Sequence, residues 1–203
     1  MRPRLGFSPT QPQAAAGMGA VGLENPVTVV LLAYRAIDTL LEKIVLVLAL
    51  VAVWSLSPDG AWGGAPLSLR VARPSGALNL MARVLPPVGL LVGVYLVWTG
   101  ADHPGGTFQG GALLAAMWLL LMLAGLAAPP ETGRPGLRLA ATAGPGLFIA
   151  VGLAGIPLSG WFLSYPPDHA KAMIVAVEAV LALSIAVILA MLVAGPAASR
   201  ADR

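Results

Sequence analysis

The chain has 203 residues, of which 58% are hydrophobic and only 10% charged, with 12 Lys and Arg against 9 Asp and Glu. Soluble domains carry about 25% charged residues, so this composition and a mean hydropathy of +0.84 exclude an ordinary soluble domain and make the bilayer the solvent. There is no cysteine, which excludes disulfides and thiolate metal sites; the arginines are scattered in loops rather than gathered into a patch, which excludes a nucleic-acid surface.

Residues 1–26 hold no sustained apolar core. A cleaved signal needs about 7–15 apolar residues in a row, so this segment reads as a polar lead. A spanning helix needs about 20 mostly apolar residues. Five stretches qualify: Val27–Trp54, Met81–Thr99, Phe108–Ala127, Arg138–Ile156 and Ala170–Ala194. The expected fold is therefore an all-α polytopic membrane protein with about five transmembrane helices. Turn residues fill the breaks, in SPDGAWGGAP, ADHPGG, APPETGRPG and PLSGWFLSYPPDH.

The first stretch carries Arg35, Asp38, Glu42 and Lys43 near its middle. At about 100° per residue, Arg35, Asp38 and Glu42 form one stripe and Lys43 lies roughly a quarter-turn away. A charge at the bilayer centre costs about 2.5–3.5 kcal/mol, so all four must face protein or water. Arg35 and Asp38 have the spacing to pair along the helix. Asp38 and Glu42 carry the same sign four residues apart, and such carboxylates resist ionising together. That is the chemistry of an ion path; the alternative is a charge network tying this helix to partner subunits.

In the second and third stretches, Gly89 with Gly93 and Gly111 with Ala115 are small pairs that let helices approach closely. Between these stretches, Pro104-Gly105 suits the centre of a type II turn and Thr107 suits a helix N-cap. Asp102 and His103 in this hinge are candidates for binding a cation or relaying protons; the alternative is a solvated turn. Gly110 and Gly111 leave the next helix bare in its first turn. In the fourth stretch, Gly144-Pro145-Gly146 is expected to kink or interrupt the helix. In the fifth, Lys171 and Glu178 share a face seven residues apart, and an acid at that depth needs a partner. Its expected role is ion or proton handling, or a subunit contact.

The arginines set the orientation. Arg70, Arg73 and Arg83, then Arg134 and Arg138, then Arg200 and Arg203 fall on one face, which is expected to be cytoplasmic. Arg2 and Arg4 disagree and are outvoted. The N-terminus, the ADHPGG hinge and the PPDH loop then lie on the opposite side. The sequence contains no zinc set or catalytic triad. PGGTFQGG is glycine-rich, but it follows an apolar helix and lacks the P-loop lysine. No enzymatic role and no cofactor are expected.

GADHPGGTFQGGALLAA resembles the P-G-G-x-F-x-G-G signature of the MrpB/MnhB subunit of multisubunit Na+/H+ antiporters. GLAGIPLSGWFLS resembles that family's third helix and following loop, and VAVEAVLALSIAVILAML its last helix, whose acid corresponds to Glu178. The resemblance covers roughly Ser75 to Ala194. The first helix resembles instead the MbhE-like module of the large MrpA subunit and of membrane-bound hydrogenases. Its Y/F-R-G-F-D-T-L-G-E core is matched by Tyr34, Arg35, Asp38, Thr39, Leu40 and Glu42, with Ala36 and Leu41 replacing two glycines. Ala101 stands where many MrpB proteins carry a His, and Thr107 where a third glycine is usual.

These resemblances imply a polar segment 1–26, an MbhE-like helix 27–54, a linker 55–74, an MrpB/MnhB-like four-helix domain 75–195 and a polar tail 196–203. They imply a subunit of an assembly exchanging Na+ for protons in a bacterial inner (cytoplasmic) membrane. The N-terminus would be non-cytoplasmic and the C-terminus cytoplasmic. The expected partners are other subunits of an Mrp-type or complex-I-like assembly and the lipid bilayer, not nucleic acid. The expected ion or proton path comprises Arg35, Asp38, Glu42, Lys43, Lys171 and Glu178. The loop motif is Asp102, His103, Pro104, Gly105, Gly106, Phe108, Gly110 and Gly111. No metal is expected beyond transiently bound Na+. The alternatives are a subunit of an ion-translocating respiratory or hydrogenase complex, and a structural scaffold.

Overall fold

The computed structural model describes residues 22–67, 69, 75–166 and 168–199. Arg2, Arg4, Arg70, Arg73, Arg200 and Arg203, which entered the orientation argument, lie outside the described residues. Every described element of regular structure is helical apart from one isolated bridge between Pro66 and Ala197. All five apolar stretches form helices, as expected of an all-α membrane protein.

The first stretch is not one continuous helix. It begins as α1, Pro26–Val29, capped by the Asn25 side chain, and widens into a π-turn at Val30–Tyr34. It then breaks at Arg35, whose backbone leaves the helical region (φ −119°, ψ 33°), and resumes as α2, Ala36–Ser55. The Arg35 N–H donates to Val30 O rather than to Leu31 O, and the Thr39 hydroxyl donates to Leu31 O at 2.7 Å. A side chain one turn into α2 thus caps a carbonyl that the wide turn displaces from its α-helical partner.

Four further helices follow: α3 (Gly76–Thr99), α4 (Thr107–Leu123), α5 (Pro135–Ser159) and α6 (Ala170–Ala194). α3 starts five residues earlier than expected because Ser75 is its N-cap, accepting from Leu78 N–H. α3, α5 and α6 are long and apolar enough to cross a membrane; α4 is shorter at 17 residues. α2 carries Asp38, Glu42 and Lys43, which lower its apolar character.

α6 is the centre of the packing. α4 and α5 flank it, α2 lies across α5 and α6, and α3 lies outside against α4. Ile174, Val177, Leu181, Ile185, Ile188 and Met191 of α6 are fully enclosed. Small residues make the close approaches. A Cβ on Gly89 would sit 2.4 Å from Met117 Cγ, and one on Gly111 2.8 Å from Ala182 O. The expected glycine seams are therefore real helix contacts.

Of the kink or interruption expected at Gly144-Pro145-Gly146, the interruption does not occur: α5 runs unbroken through all three residues. Pro145 has no N–H to donate to Ala141 O, four residues back. The buried Ser184 hydroxyl of α6 donates to that oxygen instead. Gly144 permits the approach, since a Cβ there would lie 2.7 Å from Ser184 Cβ.

At one end of the bundle, Thr132 N–H and Gly133 N–H donate to Gly64 O and Gly63 O, and Ala198 N–H to Ala65 O. The 55–67 loop, the loop before α5 and the start of the tail thus share that end. Ala197 and Ala198 are buried there, so the first residues of the expected polar tail pack onto the bundle.

Candidate functional site

The opposite end is organised by Asn25, which the sequence reading did not single out. Its Oδ1 accepts from Val27 N–H at 3.0 Å, its amide donates to Gly100 O (2.7 Å) and His103 O (2.8 Å), and its own N–H donates to Ala101 O. Thr28 adds a hydroxyl bond to Gly100 O at 2.7 Å. The start of the first helix is therefore fastened to the hinge between α3 and α4. The signal was present as Asn-Pro, an N-cap followed by proline at the first helical position.

The hinge is not the expected type II turn. His103 O is taken by Asn25, while Gly106 N–H donates to Leu96 O. Gly105 has φ +157° where a type II turn needs about +80°. His103 and Pro104 are exposed. Asp102 leaves the hinge sideways: both its oxygens accept from Lys171 Nζ, at 2.7 and 2.8 Å. Lys171 thus serves as a clamp between hinge and α6, although it shares a helix face with Glu178.

Thr107 is not the N-cap of α4. That place is taken by Gly106 at φ +123°, a left-handed conformation suited to glycine. Thr107 begins the helix, and its hydroxyl donates to Glu178 Oε1 at 3.1 Å. Glu178 is 3% exposed, and its Oε2 is buried with no hydrogen-bond partner among the described residues. Gly106 lies against the same carboxylate, since a Cβ there would come within 3.5 Å of Oε1. Gly110 packs against Gly93 and Val97 of α3, and Gly111 against Ala182 and Ile185 of α6, beyond Glu178 on the same helix.

A cavity of about 110 Å³ opens beside Glu178. Thr28, Leu31, Thr39, Glu42 and Lys43 line one wall; Gly105, Thr107, Phe108, Gln109 and Glu178 line the other. Lys43 is almost wholly enclosed, with its Nζ 2.7 Å from Glu42 Oε1 and 5.4 Å from the centre of the Phe108 ring. Glu42, its partner, is 52% exposed. Arg35 and Asp38 form an ion pair at 2.5 Å, also about half exposed. The expected charge stripe stays together: Arg35, Asp38 and Glu42 all lie toward the outside of the chain. Lys43, a quarter-turn away, turns inward to the cavity beside Glu178.

Tyr165, in the loop between α5 and α6, is a further polar group the sequence reading missed. Its hydroxyl is buried without a partner among the described residues. Burial, and secondarily the negative charge of Glu178, push its phenol above the usual tyrosine range. Among the described residues no group of three or more His, Cys, Asp or Glu is gathered to hold a metal. The arrangement offers instead a small polar chamber with one buried carboxyl, one buried ammonium and one hydroxyl bond, the equipment for holding a proton or a single hydrated monovalent cation.

Residues 77–198 match the family described as a domain related to the MnhB subunit of Na+/H+ antiporter. An uncharacterized protein of Methanocaldococcus jannaschii is 27% identical over 156 residues, covering 70% of this chain and 60% of its own length. The chain thus spans about three-fifths of that curated relative. A chain in the archaeal membrane-bound sulfane sulfur reductase, a respiratory membrane complex, superposes with a TM-score of 0.72 at 24% identity, covering 93% of this chain and 86% of that one. A chain of the Mrp complex from Dietzia sp. DQ12-45-1b superposes with a TM-score of 0.62 at 26% identity, over 97% of this chain and 24% of that one.

Proposed function

The chain belongs to the family of MnhB-related domains, and on that premise we propose that it is a non-catalytic membrane subunit of a multisubunit antiporter exchanging Na+, or another monovalent cation, for protons. Within that assembly it lines part of a cation or proton path where subunits meet. The observation that carries this reading is Glu178, an acid 3% exposed on a chamber wall with one oxygen lacking a partner among the described residues. A buried acid without a full set of donors is costly in a membrane and is a functional hypothesis by default. Asp38 and Glu42 form the outer approach to the chamber, with Arg35 biasing their charge; Asp102 and Lys171 hold the hinge in place. The likeness to a chain of the Dietzia Mrp complex supports Mrp-type partners.

The same reading assigns 27–54 to an MbhE-like helix and 75–195 to an MrpB/MnhB-like domain. In support, the family match begins only at residue 77, whereas the likeness to the Mrp chain extends over 97% of this chain. The orientation follows the arginines: hinge, first helix start and PPDH loop on the non-cytoplasmic side of a bacterial inner membrane, and C-terminus on the cytoplasmic side. It is supported by the gathering of the 55–67 loop, the loop before α5 and the tail at one end.

The test is reconstitution of the purified assembly in proteoliposomes with Glu178→Gln. Cation-dependent proton exchange is expected to be lost while the subunits still co-purify. Unchanged exchange overturns the path; loss of assembly together with exchange favours a scaffold. Co-purifying redox subunits would assign the chain to a respiratory complex, a reading that rests on the shared fold alone.

A further inference from the structure

We propose that Lys43 is a mobile proton carrier that alternates between Glu42 at the rim of the chamber and Glu178 at its buried end. The inference rests on the antiporter reading but concerns a residue that reading leaves without a task.

Adjacent residues on a helix project about 100° apart and do not face each other. The 2.7 Å bond from Lys43 to Glu42 therefore requires the lysine to curl back along its own helix. Its side chain is 6% exposed and its partner 52%, so the stem is rooted inside the chamber while its head reaches for the rim. An ammonium has three donors, and one meets Glu42. The Phe108 ring, 5.4 Å away, supports a cation along the chamber wall. Phe108 directly follows Thr107, the residue that holds Glu178 Oε1. Glu178 Oε2, in the same chamber, has no donor among the described residues, and buried acceptors are otherwise almost always paired. The free space of about 110 Å³ far exceeds the roughly 10–15 Å³ that one water requires, so a lysine head has room to cross.

The step balances in protons alone. Lys43, as ammonium, reaches the Glu178 carboxylate; one N–H bond breaks, one O–H bond forms, and a neutral amine faces a neutral acid. Glu42, left as a carboxylate at the half-exposed rim, takes a proton from water. The amine returns to it; that O–H bond breaks and an N–H bond forms, restoring the Lys43 ammonium and the Glu42 carboxylate. One pass carries one proton from the rim to the buried acid, and the next begins once Glu178 has passed its proton on within the assembly.

The experiment has two arms on the purified assembly. In the first, a membrane-permeant carbodiimide activates protonated carboxyls. A lysine amine in reach displaces the urea and leaves an amide bond, read by mass spectrometry. A Lys43–Glu178 crosslink is expected; a carbodiimide adduct on Glu178 without that crosslink overturns the proposal, because reagent arrived where the amine did not. In the second, Lys43→Arg keeps the positive charge but cannot surrender its proton at working pH. Exchange in proteoliposomes is expected to fall on the order of a hundredfold, the lower end of what a positioned proton-transfer group contributes. Full exchange in Lys43→Arg overturns the carrier whatever the first arm gives, since it makes Lys43 a fixed counter-charge. Neither failure touches the antiporter reading, which stands or falls with Glu178→Gln.

Discussion

Replacing Ser184 by Ala tests how α5 tolerates Pro145 in the middle of the bundle. The hydroxyl donates to Ala141 O, and both residues are buried, at 1% and 2% exposure. Pro145 has removed the donor that would ordinarily serve this oxygen. A buried acceptor left without its partner costs about 1–3 kcal/mol, whereas interhelical hydrogen bonds in membranes average about 0.6 kcal/mol, because helices separated in the bilayer find other partners. Here the separated α5 helix has the same proline and the same orphan carbonyl, so docking of Ser184 relieves a cost that both states otherwise carry. The expected loss is therefore toward the upper end of the membrane range, about 1.5 kcal/mol, with almost no change in packed volume.

Thermal unfolding of the purified protein in detergent reads this as a fall in Tm of about 3–6 °C, at roughly 2–4 °C per kcal/mol for a chain of this size. The decisive measurement is the cycle with Pro145→Ala, which restores an N–H to Ala141 O. In that background Ser184→Ala should cost under about 0.5 kcal/mol, giving a coupling near 1 kcal/mol. Equal cost in both backgrounds would refute the idea that Ser184 replaces the proline's missing donor.

Two further outcomes follow from the hinge end. Asn25→Ala removes the N-cap, leaves His103 O without its side-chain donor and leaves Gly100 O with only the Thr28 hydroxyl, for an expected loss of about 2 kcal/mol; Asn25→Asp keeps the cap but sets a negative charge against both carbonyls, so it should be at least as damaging. Faster amide hydrogen exchange at Gly100–Gly106 in both variants is the measure, and unaltered exchange would show the clamp to be idle. Tyr165 has a phenol held above its ordinary value of 10.0, so the folded state keeps a proton that the unfolded chain releases. Its contribution is fully present below pH 10 and is lost as pH rises further. Tyr165→Phe should therefore flatten the fall in stability on the alkaline side, and an alkaline limb of the same slope in the variant would refute this.

The helices were legible because composition and apolar length decide them, and the Gly89–Gly93 and Gly111–Ala115 seams because small residues have few other uses in a membrane helix. What was not legible was partner choice. A helical wheel groups Lys171 with Glu178, but seven residues is about 10 Å of rise, and Asp102 arrives from the hinge to take the lysine first. The wheel likewise treats 27–54 as continuous, although the Arg35 break depends on Thr39 covering the displaced Leu31 carbonyl. Thr107 has the chemistry of an N-cap; it goes to Glu178 because Gly106 at φ +123° already turns the chain. In each case local preference was readable, and a contact with a distant segment overrode it.

The chamber exists only because the first helix and the last four are held together. Lys43, Glu42 and Thr39 come from α2, whereas Glu178, Thr107 and Phe108 come from α4 and α6. Asn25 and Thr28 fasten the first helix to the hinge at one end. At the other, Ser57 Oγ accepts from Ala197 N–H and Ala65 O from Ala198 N–H, fastening its exit loop to the end of α6. Carrying both walls on one chain also makes their meeting intramolecular, with an effective concentration set by a short connection rather than by subunit abundance. Two anchors, one at each end, fix the depth of Lys43 relative to Glu178. A carrier with a single lysine stem tolerates little error in that depth, so the fastenings at the two ends belong to the mechanism as much as the charged groups between them.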